Sequence, residues 1–148
     1  MGRKVEPDLA KYLEGKIPWL LRQSTASAQG KKATLFLGEL PPVSSTVPLE
    51  AASISEYPGE GPLRVFSGKK IEKPRVIITV RAQRYNVAQD YSYAIHDALD
   101  GITDTVIDGT LHVWIGAVSL PSEGTPDAQN NAIFNGNYMV WREVNVNA

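Results

Sequence analysis

Apolar residues at every second position mark VIITVRAQ, residues 76–83, as a strand. Val76, Ile78, Val80 and Ala82 share one face, and Ile77, Thr79, Arg81 and Gln83 share the other. The period then changes: Val87, Tyr91, Ala94, Ile95, Ala98 and Leu99 recur at helical spacing as one apolar stripe. Asn86, with Gln89 three positions on, reads as the cap of that helix, and Gly101 as the residue that closes it. Two later stretches alternate again. TLHVWIGAVSL, residues 110–120, places Leu111, Val113, Ile115 and Ala117 on one face. GNYMVWREVNVN, residues 136–147, places Tyr138, Val140, Val144 and Val146 together, with Arg142 among them.

Upstream, EPDLAKYLE, residues 6–14, reads as a helix with Pro7 and Asp8 in its first turn and Gly15 at its end. IPWLLRQ reads as a short helical turn entered at Pro18, STASAQGKK as a loop, and ATLFLGEL, residues 33–40, as a strand stopped by Pro41 and Pro42. Residues 41–74 hold six of the 10 prolines, yet Ile54, Tyr57, Leu63, Val65 and Phe66 supply apolar surface there. An edge strand or hairpin arm bounded by loops fits this mixture. PSEGTPDAQNNAIFN, residues 121–135, reads as a loop.

These elements predict one domain over 1–148: an N-terminal helical region and loop over 1–32, then an α+β core over 33–148. The core is expected to hold a largely antiparallel mixed sheet, helices packed on one face and an extended hairpin arm. No internal repeat or heptad run is present.

Composition narrows the chemistry. With 148 residues and no cysteine, the chain has no disulfide, thiolate zinc site, iron–sulfur cluster or cysteine nucleophile, and it fits assembly in a reducing cytoplasm. MGRKVEPDLAKYLEGKIPWLL never offers an uninterrupted apolar stretch, so the expectation is a soluble, non-exported protein without a membrane span. The net charge of −1 hides an asymmetry. Residues 1–84 carry 14 Lys or Arg against 8 Asp or Glu, and residues 85–148 carry 1 against 8. The halves either pair internally or present complementary faces to neighbouring copies.

Catalytic and metal patterns find little support. The histidines are His96, on the polar flank of the predicted helix, and His112, on a strand; no Gly-x-Ser-x-Gly elbow accompanies them. Asp97, Asp100, Asp104 and Asp108 recur in DALDGITDTVIDG but lack the alternating oxygen ligands and closing glutamate of a calcium loop; turn-forming aspartates beside glycine account for them. Neither phosphate-loop motif occurs. The basic GKKIEKPR, residues 68–75, with Lys31 and Lys32, lacks interleaved aromatics and reads as a solvated loop rather than a nucleic-acid site. No catalytic residue, cofactor or metal is therefore assigned. Trp114 and Trp141 fall opposite the aliphatic face of their strands: either both faces are covered and the rings are core, or they form an interface on an open one.

The succession LFLGELPP, SISEYPGEGP, VIITVRAQRYNVAQDYSYAIHDALDG and GNYMVWREV resembles the tail-terminator or tail-completion proteins of long-tailed bacteriophages, a group also described as minor capsid or head–tail joining proteins. The resemblance runs from about residue 33 to 144. It implies a non-enzymatic α+β virion subunit, assembled in the host cytoplasm, that forms a ring, commonly a hexamer, on the end of the tail tube. Such a ring stops tube polymerisation and joins tail to head. The implied partners are further copies of the chain, the tail-tube protein and a head-completion or connector protein, with DNA passing the lumen without sequence-specific binding. The matched landmarks are the Pro58–Gly59 turn, Arg81, Tyr85, Gly101, Asn137 and Tyr138, in fold and contact roles. The candidate subunit or partner interface comprises Tyr57, Arg81, Arg84, Tyr85, Trp114 and Trp141. The alternatives are another neck or head–tail connector, a tail-tube subunit, and, from a different class, a small hydrolase or metal-dependent enzyme using His96 with Asp97 to Asp108.

Overall fold

The computed structural model describes residues 5–64 and 69–145. In chain order it contains α1 (Glu6–Lys16), α2 (Gln23–Ala28), β1 (Leu35–Leu37), β2 (Ala51–Arg64), β3 (Lys69–Ala82), α3 (Tyr85–Leu99), β4 (Ile102–Ile107), β5 (Thr110–Ala117), β6 (Ser122–Glu123) and β7 (Ala132–Asn145). The strands form one seven-stranded sheet in the order β1-β2-β3-β7-β5-β4, with β6 also on β7. Every pairing is antiparallel except β1 on β2, so the fold is α+β with a largely antiparallel mixed sheet.

The core lies between one sheet face and the helices. Leu9 and Leu13 of α1 and Ile95 and Leu99 of α3 pack with Ile54, Val76, Ile78, Val80, Ile115, Tyr138 and Val140, all at most 1% exposed. Strand alternation decides who enters: in β3, Val76, Ile78, Val80 and Ala82 are buried while Ile77 and Thr79 between them are not.

Several elements depart from the sequence expectation for local physical reasons. Helix α1 passes through Gly15 to Lys16, and the Ile17 amide donates to the Leu13 carbonyl (2.8 Å). The expected turn at IPWLLRQ is displaced: helix α2 starts at Gln23, the last residue of that stretch, and runs to Ala28 through residues that read as a loop. Its start is held by a residue from another helix. The Glu14 carboxylate accepts from the Arg22 amide (2.7 Å), from Arg22 Nε and Nη2 (3.2 Å each) and from Thr25 Oγ1 (2.9 Å). Burial alone would raise the Glu14 pKa, but these bonds outweigh it and hold the carboxyl below its ordinary value. Gly30, at φ +65°, then turns the chain toward β1.

The proline-rich segment becomes a long hairpin arm, as β2 pairs with β3 from Ala51↔Arg81 to Arg64↔Lys70. Pro58 and Gly59 lie within β2, where the register shifts between Tyr57 and Glu60, rather than in a turn. A Cβ at Gly59 would overlap the Lys73 carbonyl, so close backbone approach requires glycine there. The expected loop at 68–75 is instead, from Lys69 on, the first half of β3, and Pro74, which has no N–H to donate, sits opposite that irregular stretch of β2. Val65, Phe66 and Val146 lie outside the described residues.

Helix α3 is capped two residues earlier than expected, by Arg84 rather than Asn86, with no side-chain capping bond. Its buried line runs through Ala88, Ser92, Ile95 and Leu99, with Val87, Tyr91 and Ala98 beside it and Ala94 exposed. The aspartate-rich stretch after it forms β4. Asp108 and Gly109, both at positive φ (49° and 82°), are the two central residues of a tight hairpin turn into β5. In β5 a register shift between His112 and Trp114 re-aims the strand, so fully buried His112, with Ile115, replaces the expected Leu111–Val113 face.

Candidate functional site: the helix-free sheet face

With α1 and α3 on one face, the alternate residues of the same strands form a second, helix-free surface. Register places Tyr57 beside Arg75, Arg75 beside Met139, and Trp141 beside Trp114 across four strands. The two tryptophan rings meet edge to face, with centroids 6.0 Å apart and planes at 76°. Lys73 Nζ lies 4.4 Å from the Trp141 ring centroid. Trp114 folds back over Gly116, where any Cβ would overlap its ring. Each of Tyr57, Arg75, Met139, Trp114 and Trp141 is half-buried, shielded by its neighbours but roofed by no helix.

Farther along this face, Ser53, Ser55, Ile77, Thr79, Asn135 and Asn137 line a shallow groove of about 500 Å³. Thr79 Oγ1 donates to Asn135 Oδ1 (2.9 Å) at its floor. At its far end the face is roofed by chain. The Arg81 guanidinium, 2% exposed, donates through Nε to the Leu49 carbonyl (2.8 Å), through Nη1 to that of Pro41 (2.7 Å) and through Nη2 to that of Pro48 (2.9 Å). Burial pulls its pKa below the ordinary value, with the Asp127 carboxylate opposing. Arg81 therefore fastens the 41–49 loop inside the protomer, and its guanidinium is not available to a neighbour.

The six residues singled out from sequence thus divide. Tyr57, Trp114 and Trp141 share the helix-free face. Arg84 and Tyr85 sit exposed at the β3–α3 junction, where the Tyr85 ring, 49% exposed, packs edge to face on Phe134 at 5.1 Å. Arg81 serves the loop. Sequence reasoning missed Lys73 and Arg75 as companions of the tryptophans, because Pro74 makes KIEKPR read as a loop. The signal is the period-two pattern of Ile71, Lys73, Arg75 and Ile77, continuous across the proline.

The elements of a hydrolytic or metal centre do not converge. His96 Nε2 lies 3.8 Å from Asp100, and its ring faces Tyr93 and Tyr138. Burial pushes the Tyr138 phenol far above its ordinary value, with Asp100 and Asp97 adding to the shift. Asp100 accepts the Ala117 amide (2.8 Å), and Asp108 binds Lys11 (3.0 Å). Among the described residues no group of three or more His, Asp or Glu side chains could hold a metal ion. His112 packs in the core 3.8 Å from Asp8 of α1. Among the described residues no helix is long and apolar enough to cross a membrane.

No family model matches the chain, and no curated protein sequence does. Among solved structures, it shares its fold with a chain of the virion of a native gene transfer agent (GTA) particle. The two superpose with a TM-score of 0.54 at 14% identity, over 92% of this chain and 95% of that one.

Proposed function

We propose that this chain is a structural virion protein: a tail terminator that assembles as a ring, a hexamer on the family resemblance, caps the end of a phage tail tube and forms the joint to the head. The observation that carries the reading is the near end-to-end likeness to a chain of a GTA virion, which spans almost the whole of both molecules. The order of sequence landmarks from residue 33 to 144 supports the finer placement at the tail end. In this reading the half-buried aromatic and cationic face of Tyr57, Arg75, Trp114 and Trp141, with Arg84 and Tyr85 at the junction, meets neighbouring virion proteins. Such contacts would cover rings that the protomer leaves uncovered.

Mixing the purified protein with tail tubes, and viewing the ends by negative stain, tests the assignment. A terminator decorates one end of each tube and halts its elongation when tube subunits are added. Incorporation along the tube identifies a tube subunit instead, and binding to head connectors without tube ends identifies a neck protein.

A further inference from the structure

The sheet order puts two unlike edges on opposite sides of the protomer: β1, backed by β2, on one flank and β4 on the other. Their chemistry is complementary. Lys31 and Lys32 lead into β1; both are exposed, and neither has an ion pair among the described residues. Glu39, just past β1, lines the groove on the helix-free face. On the far flank Asp100, Asp104 and Asp108 bracket and interrupt β4; Lys11 binds Asp108 and His96 Nε2 lies 3.8 Å from Asp100, while Asp104 is exposed without an ion pair among the described residues. Each flank also exposes a large apolar side chain, Leu37 at 49% at the end of β1 and Val106 at 65% between Asp104 and Asp108. The opposite charges of the two halves of the sequence are therefore not fully paired within the protomer; part of each faces outward, on opposite sides.

We infer that the β1 flank of one copy docks on the β4 flank of the next, Lys31 and Lys32 against Asp100 and Asp104, with Leu37 and Val106 in the apolar centre. This rests on the ring reading and names its contact. Two different patches meeting make a heterologous interface, which closes into a ring when the rotation between copies permits. The contact is made by side chains rather than by one continuous sheet. Pro58 and Pro62 interrupt the free edge of β2, and Asp104, at φ +46°, breaks the extended backbone of β4; both features discourage strand addition.

Light scattering on the full-length protein at low salt tests this with two variants, Lys31→Glu/Lys32→Glu and Val106→Arg. Each spoils one flank and leaves the other intact. Each alone should need about tenfold or more higher concentration to assemble. Mixed in equal amounts they should form a two-subunit species that grows no further, because one good β1 flank meets one good β4 flank. Circular dichroism and melting confirm folding, and Lys31→Ala/Lys32→Ala with Val106→Thr provides a milder pair. Normal rings from either original variant, or mixtures that stay monomeric, overturn the contact while leaving the ring intact. A wild-type protein that is monomeric at every concentration removes the ring reading itself.

Discussion

The two faces of β3 and β7 are made from alternate residues of the same strands, yet they answer different demands. Val76, Ile78, Tyr138 and Val140 lie under the helices at 0–1% exposure. Arg75, Ile77, Met139 and Trp141, one position away, are only half-buried. The first set defines the fold by filling volume. The second keeps aromatic rings and cations where another molecule can reach them, which a protomer optimised for its own stability alone would not need. Substitutions on the helix face should therefore cost folding, and substitutions on the open face should cost assembly.

The largest loss of stability is expected from Ile78→Ala. It removes a side chain at 1% exposure between sheet and helices, and denaturant unfolding should show a loss of about 3 kcal/mol. Arg81→Met comes next, at about 2–3 kcal/mol, because three loop carbonyls lose a charged donor together. Proteolysis should then cut first within residues 41–49; resistance of that loop would detach Arg81 from its anchoring role.

Glu14→Gln should cost about 1 kcal/mol at neutral pH, since the amide accepts fewer of the bonds that start α2. The sign with pH follows from the lowered carboxyl pKa. Ionised Glu14 stabilises the fold above the ordinary carboxylate pKa, and that stability fades as pH falls through the folded value. The variant should show a flatter acid limb in a melting-temperature profile, and parallel limbs would contradict the cap. Trp141→Ala should have the smallest effect on folding, about 1 kcal/mol, through loss of the Trp114 contact and of the Lys73 cation. Its effect on ring or partner affinity should exceed its effect on melting; equal losses would make Trp141 a core residue rather than a contact.

The same contrast explains which parts of the fold were legible in the sequence. The alternation of residues 76–82 marked a strand because one face is wholly buried, and the stripe through Ile95 and Leu99 marked α3 for the same reason. Ala94 was misplaced because small residues join an apolar stripe without having to be buried. Helix α2 was hidden because its start is held by Glu14 from a different helix. Strand β4 was hidden because ITDTVI, at a sheet edge, carries little apolar pattern. The first half of β3 was masked by Pro74, whose missing donor is tolerated beside irregular pairing. His112 entered the core through a register shift that no local pattern announces. Among the candidate contact residues, the two tryptophans could be placed by parity, whereas the burial of Arg81 depended on a loop folding back from Pro41 to Leu49.

Negative-stain micrographs of the purified protein at low salt test the proposed ring most directly. Closed rings with a channel wide enough for duplex DNA, about 20 Å or more, that loosen as salt is raised are the expected result. A monomer at every concentration and every salt would contradict it.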